Sequence, residues 1–450
     1  MPKYQLRQTA LDILVRVGEG GGFSHLLIDQ SIKKKGMSQR DESLLTEIVY
    51  GTIQRRLTLD YYLSGFIKGN KKMEPWVKWL LYMSVYQMIY LDKVPEHAII
   101  HESVEIAKQR GHRGISSMVN GILRNVQRKG VPDTDKINDT AKRLAIETSH
   151  PEWLVNRWVE MYGPETTEKM CRTNLLHKPM SVRVQPLKID RSSAIEKLEA
   201  EGYETEPSLF SGQGINILKG NILKSDLFQA GYLTVQDQSS MLVAEMLDLK
   251  KGMKVLDACS APGGKTTHIA EKMENEGEVF AYDLHAKKAK VVAKRALELD
   301  LHIINAHQAD SRQLSSLHGD ESFERILLDA PCSGLGVLRG KPDIKYHKQE
   351  KDIRSLSEIQ LELLESVSSL LKKGGKLLYS TCTVDKTENE QVVEKFLASH
   401  EDFEIDDDFT SDLPEGLRSA EGLTKWGLQL FPHDFNTDGF FLTRLVKKTD

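Results

Sequence analysis

Helical spacing runs almost unbroken through the first 130 residues. Leu6, Ala10, Ile13, Leu14 and Val17 recur at three- and four-residue steps and predict an amphipathic helix. Gly20-Gly21-Gly22 and Gly36 punctuate, and Ser38-Gln39-Arg40-Asp41 opens a second helix carrying Leu44, Leu45, Ile48 and Val49. Trp76–Leu91 is apolar on nearly all sides, which predicts the central helix of an all-α bundle. Its Lys78, Ser84 and Gln87 argue against a membrane span. Val94–Lys108 and Met118–Arg124 add further helical segments.

The pattern then changes twice. Gly130–Thr140, with Pro132 and several acidic or amide side chains, reads as a linker. Beyond it, a helix opens at His150-Pro151-Glu152 and ends near Gly163. Short strands at Ser181–Val184 and Ile215–Leu218 flank a helix at Ser192–Glu201, which suggests a small α+β domain. From Gly231 strands and helices alternate strictly. Strands are expected at Lys254–Ala258, Glu278–Asp283, Ile303–Gln308, Arg325–Asp329, Lys376–Ser380 and Gly439–Leu445. Such alternation predicts an α/β Rossmann-like domain, doubly wound around a mainly parallel sheet. The expected division is therefore 1–130 all-α, 131–235 linker and small α+β, and 236–450 α/β.

Composition adds bounds. At 40% hydrophobic and 28% charged residues, the chain has the make-up of a soluble globular protein. The N-terminus lacks the unbroken apolar core of an export signal. The four cysteines, Cys171, Cys259, Cys332 and Cys382, are widely spaced, so neither a disulfide framework nor a zinc site is expected, and a cytoplasmic location fits. The overall charge of −4 conceals an asymmetry. Residues 1–130 carry 20 basic and 12 acidic side chains, net +8, against −3 for 131–240 and −9 for 241–450. The first block is a candidate polyanion-binding surface, with a lysine-rich solvated bundle as the plain alternative.

Candidate chemistry centres on Met253–Thr267, where a short strand runs through Asp257 into the turn Ala261-Pro262-Gly263-Gly264 and then a helix. Glycines permit close backbone approach, and the free N–H groups of a helix's first turn point at a bound ligand. Cys259–Thr266 misses the phosphate-binding G-x-x-x-x-G-K-[ST] pattern by one residue, Cys259 standing where the first glycine belongs. Asp257, Asp283 and Asp310 lie at or near strand C-terminal ends, where carboxylates accept ribose hydroxyls or an adenine amino group. Asp283 or Asp310 alone is more often a helix cap. Together, and without a G-x-G-x-x-G fingerprint, they fit S-adenosylmethionine better than a nicotinamide dinucleotide. Cys332 and Cys382 each follow a buried strand on the same sheet edge, which points to a reactive pair rather than two small core residues. Arg339, Lys341, Lys345, Tyr346, His347 and Lys348 form a basic run with an aromatic, suited to phosphate contact and base stacking or to a solvated loop.

These motifs carry a resemblance. Residues 5–130 resemble the NusB-like RNA-binding fold. Asp257–Thr267, Asp329–Gly334 and Thr381-Cys382 resemble the signature motifs of the RNA cytosine-C5 methyltransferases. Leu233–Ser240 and Asp438–Phe441 look like further family elements, and the domain order resembles the Sun/Fmu branch, which acts on 16S ribosomal RNA. Ser260 and Thr383 depart slightly from the pattern, which commonly has alanine and serine there. The resemblance implies that Cys382 adds to cytosine C6, Asp329 holds the N3 edge, and Cys332 assists removal of the C5 proton. The turn Cys259, Ser260, Ala261, Pro262, Gly263, Gly264, Lys265 would bind S-adenosylmethionine with Asp283, Asp310 and Asp329, and no metal is needed. Lys265 would contact either Asp329 or the cofactor's polar end. The implied partner is 16S ribosomal RNA, free or in early assembly, bound by a monomer away from any membrane. Transfer RNA as substrate and a non-catalytic RNA-binding or antitermination factor are the alternatives.

Overall fold

The computed structural model describes residues 5–67 and 73–449, and its chain clusters into two compact units. The first comprises Met1–Leu176 together with Leu338–His347. Its helices are α1 (Gln5–Gly18), α2 (Ser24–Lys35), α3 (Gln39–Gln54), α4 (Arg56–Ser64), α5 (Pro75–Tyr90), α6 (Glu96–Arg110), α7 (Arg113–Lys129), α8 (Thr140–Glu147) and α9 (Glu152–Thr173). Pro75 starts α5, where its missing N–H costs nothing. Eleven buried residues between Trp76 and Gln87, interrupted only at exposed Lys78, make α5 the core helix onto which α1, α3, α6 and α7 pack. Its polar residues are satisfied. Gln87 accepts from Arg7 Nε at 2.7 Å, and the Ser84 and Ser103 hydroxyls meet at 2.7 Å. The α9 helix breaks at Gly163, as its Gly-Pro pair requires, but resumes to Thr173.

In the contact pattern residues 131–176 cluster with the helical bundle. So do residues 338–347, which sequence position assigns to the α/β domain. In this segment Asp343 accepts from Ser24 Oγ at 2.6 Å, and Lys345 Nζ donates to both Gln54 carbonyl oxygens at 3.0 Å.

The second unit holds two sheets. In the smaller, β1 (Met180–Val184), β2 (Glu204–Pro207), β3 (Gly214–Lys219) and β4 (Leu233–Val235) pair antiparallel in the order β2-β3-β1-β4, with α10 (Arg191–Ala200) packed on β2 and β3. After α11 (Gln238–Glu245) the large sheet begins. It comprises β5 (Lys254–Asp257), β6 (Glu278–Asp283), β7 (Ile304–Gln308), β8 (Phe323–Asp329), β9 (Leu371–Thr381), β10 (Phe403–Ile405), β11 (Leu423–Thr424), β12 (Gly427–Leu430) and β13 (Phe440–Lys447). Its order is β11-β12-β13-β9-β8-β5-β6-β7, with β10 against β13. Strands β5 to β9 are mutually parallel and all pairs involving β10 to β13 are antiparallel. The helices α12 (Gly264–Lys272), α13 (Ala286–Glu298), α14 (Glu350–Ser368) and α15 (Glu390–Ser399) complete the doubly wound layer. Strand order reverses between β5 and β8, and that switch point is where such sheets bind ligands.

The two sheets are joined by a buried ion pair. Arg183 of β1 grips Glu271 of α12 with two bonds, Nε–Oε2 at 2.7 Å and Nη2–Oε1 at 2.8 Å, both side chains being at most 1% exposed. Arg183 also reaches the Gly264 carbonyl at 2.8 Å and Thr267 Oγ1 at 2.9 Å. Removing one partner strands a buried charge. Arg183→Ala is therefore expected to cost about 3–5 kcal/mol of unfolding free energy by denaturant titration, whereas a replacement at exposed Lys219 should leave it essentially unchanged.

Candidate active site

Three loops converge at the switch point. The first follows β5. Gly263 caps α12 with φ +97°, a left-handed conformation open to glycine, and a Cβ there would sit 3.3 Å from Val292 Cα. Ser260 is fixed by its N–H and Oγ, both donating to the Tyr282 carbonyl, and its own carbonyl accepts from Gly263 N–H at 2.7 Å. The turn and α12 then line a cavity of about 210 Å³ with Asp257 and Asp329.

Asp257 ends β5 and is 1% exposed. Its Oδ2 accepts from Thr266 Oγ1 at 2.7 Å, while Oδ1 has no hydrogen-bond partner among the described residues. Burial pushes its pKa up to about 7, and Asp329 adds to the rise. Thr266 and Lys265 are thus engaged with carboxylates, not arranged around an empty phosphate cradle. Lys265 Nζ lies 2.6 Å from Asp329 Oδ2 and over the Phe440 ring at 5.0 Å. Lys265 is thus paired with Asp329 in this structure. Ser380 Oγ donates to the other Asp329 oxygen at 2.9 Å.

The second and third loops bring the cysteines together. Cys332 lies three residues beyond the end of β8 and Cys382 directly after β9, its parallel neighbour. Their sulfurs stand 3.2 Å apart, beyond the roughly 2.05 Å of a disulfide, and both are free thiols. The hydrogen bond to Cys382, followed by burial, holds the Cys332 pKa well above the usual thiol value. Either sulfur can donate across this 3.2 Å contact.

Several residues that position these loops gave no signal in the sequence. Glu388 is buried, which raises its pKa, and it accepts from Ser333 N–H at 2.8 Å and Gln360 Nε2 at 3.0 Å. Asn389 Nδ2 donates to the Thr383 carbonyl at 3.1 Å, beside Cys382. Gly336 donates to the Cys382 carbonyl at 3.0 Å and accepts from Gly439 N–H at 2.8 Å. A Cβ on Gly336 would fall 1.9 Å from the Gly439 oxygen, so that approach tolerates no side chain. The elements Asp438–Phe441 therefore matter through backbone contact, which a motif cannot disclose.

The remaining candidates separate. Asp283 ends β6, and its Oδ1 takes the His285 N–H at 2.9 Å; Oδ2 has no partner among the described residues and can accept from a ligand. Asp310 lies two residues beyond β7 and is held by Arg312, whose Nη2 sits 2.7 Å from Oδ2; that fork also lowers its pKa. Neither lines the cavity beside Asp329. The basic run divides more sharply. Lys341 is exposed and Lys348 half-buried, but Lys345 is fully buried, and burial drives its pKa well below the usual lysine value. Tyr346 donates to the Ser149 carbonyl at 3.1 Å under the Arg56 guanidinium, 4.8 Å from its ring. Arg339 is 9% exposed. Lys345 and Tyr346 serve the interior of the helical unit, and phosphate contact by them does not fit this burial.

Two outcomes are expected. Because Asp257 is more readily protonated in the folded chain, the stability it contributes is full below about pH 4 and lost as pH rises through about 7. Asp257→Asn should flatten the fall in unfolding free energy between those values, as read from denaturant titrations across pH. Under the expectation that its carboxylate accepts ribose hydroxyls, Asp283→Ala should weaken S-adenosylmethionine binding by roughly 1–3 kcal/mol in calorimetry.

Comparison with known proteins gives the following matches. Residues 244–446 match the family described as 16S rRNA methyltransferase RsmB/F, residues 4–128 the NusB family, and residues 150–222 the ferredoxin-like domain of RsmF/B-like methyltransferases. A probable ribosomal RNA small subunit methyltransferase B of Bacillus subtilis (strain 168) is 48% identical over 448 residues, covering 100% of both chains. The corresponding protein of Synechocystis sp. is 34% identical over 98% of this chain and 99% of its own. A solved methyltransferase homologue from Pyrococcus horikoshii aligns with TM-score 0.60 and 26% identity, over 69% of this chain and 100% of that one.

Proposed function

Because the chain belongs to the RsmB/F family of ribosomal RNA small-subunit methyltransferases, we propose that it methylates C5 of a cytosine in 16S ribosomal RNA through a covalent cysteine adduct. The observation that carries this reading is the pair of sulfurs 3.2 Å apart beside the Lys265–Asp329 pair. Cytosine C5 is a poor nucleophile until a thiolate adds at C6 and pushes electron density towards C5.

The electrostatics support distinct roles for the two cysteines. A protonated Cys332 donating to Cys382 stabilises negative charge on Cys382, the attacking sulfur. Once Cys382 is bonded to C6 it no longer carries that charge. The hydrogen bond and repulsion that held the Cys332 proton then lapse, Cys332 gives that proton to solvent, and the resulting thiolate accepts the C5 proton. Electrons of the C5–H bond restore the C5=C6 double bond, and the Cys382 thiolate leaves. Asp329, held by Lys265 and Ser380, is suited to bind the N3 edge of the base as it accumulates charge. Since the base must leave its stack to reach these groups, an unpaired or loop cytosine is favoured.

S-adenosylmethionine supplies the electrophilic methyl group when bound. The residues present fit it: a glycine turn whose Gly263 takes φ +97°, an Asp257 oxygen without a partner among the described residues, and the open Oδ2 of Asp283. Nothing in the chemistry calls for a metal. The NusB-like block, with net +8 over residues 1–130, would contribute sequence-independent RNA affinity in the cytoplasm, and no described helix is long and apolar enough to cross a membrane.

The two cysteines should fail differently. Cys382→Ala is expected to yield neither methylated RNA nor adduct. Cys332→Ala should add and methylate but release slowly, so a protein–RNA band survives on a denaturing gel and disappears in the double variant. Normal turnover by both single variants would rule out covalent catalysis. Bisulfite sequencing of 16S ribosomal RNA and transfer RNA from cells lacking the protein separates the two substrates.

A further inference from the structure

The walls of the 210 Å³ cavity carry one uncompensated charge. Lys265 is paired with Asp329, Asp237 with Lys178 at 2.7 Å, and Asp257 is pushed towards its neutral acid. Arg295 of α13 is different. It is half-buried, it lines the cavity, and among the described residues its guanidinium makes no hydrogen bond and no ion pair. The nearby acids are spent elsewhere: Glu271 is gripped by Arg183, and Glu298 is paired with Lys294 at 3.4 Å. Burial, with Arg183 adding like-charge repulsion, lowers the Arg295 pKa, as expected of a guanidinium without a counter-ion.

Five N–H donors in a rigid fork, partly desolvated and unanswered, suit a planar or tetrahedral oxyanion that binds two of them at once. We infer that Arg295 is an oxyanion-binding subsite of the reaction cavity. The inference rests on the proposed methyl transfer, under which two oxyanions come to this cavity: the α-carboxylate of S-adenosylmethionine and a phosphodiester next to the target cytosine. Both offer the same chemistry, and binding measurements separate them.

The test uses the full chain with Arg295→Gln and Arg295→Lys, each first compared with the parent in thermal melting. One arm titrates S-adenosylmethionine alone by calorimetry. The other measures binding of a 16S ribosomal RNA transcript by anisotropy at saturating S-adenosylmethionine, over a range of salt. Arg295→Gln is expected to lose about tenfold in one arm, and Arg295→Lys to lose less because it keeps the charge without the fork. Loss in the cofactor arm assigns the carboxylate. Loss in the RNA arm, with the salt slope shallower by about one, assigns the phosphate. Unchanged affinity in both arms, with the parent binding both probes, overturns the inference and leaves the proposed function standing. A parent chain that binds neither probe overturns both.

Discussion

The fork between Arg183 and Glu271 is the contact on which the candidate site depends. Taking two charges fully out of water is costly, and the cost is offset only when every donor and acceptor is answered. Here Arg183 divides its donors among Glu271, Gly264 and Thr267, and Gln213 Nε2 adds a bond to Glu271 at 2.9 Å. Three of those groups lie on α12, whose first turn is the candidate cofactor cradle. The small antiparallel sheet thereby fixes the helix that fixes the turn. Its strand β1 also holds β4, which leads directly into Gln236 and Asp237 of the cavity wall.

A second constraint acts on the sulfurs. Parallel pairing of β8 with β9 brings the two loop origins together, and Asp329 lies opposite Ser380 in that register. The 3.2 Å approach of Cys332 and Cys382 is then maintained from behind by Glu388, Asn389 and the Gly336–Gly439 contact. None of these groups is proposed to touch a substrate. They hold the two loops, and with them the distance between the sulfurs.

The segment 338–347 shows a different use of charge. Lysine and tyrosine beside a candidate catalytic loop invite an RNA-binding reading, yet Lys345 satisfies the carbonyl oxygens at the end of α3. A buried lysine is tolerable here because it answers groups that a helix C-terminus leaves without partners, and because it need not stay charged. The chain thus leaves the α/β unit after Val337 and rejoins it at Lys348, having contributed a piece of the helical core.

Local periodicity and motif spacing were enough to determine the all-α start, the small α+β sheet, the alternating α/β region and the loops bearing Asp257, Asp329, Cys332 and Cys382. These signals are short in range: a strand shows its alternation or apolar run, and a glycine turn its composition, within a few residues. Strands β10 to β12 escaped because they are two to four residues long, too short for a period to register. What only the tertiary structure decided is pairing across long separations. Arg183 meets Glu271 across 88 residues, Lys265 chooses Asp329, Lys345 turns inward, and Arg295 is left without an acceptor. A charged side chain looks the same in sequence whether it is solvated, paired or stranded, and its desolvation is set by neighbours that folding alone supplies.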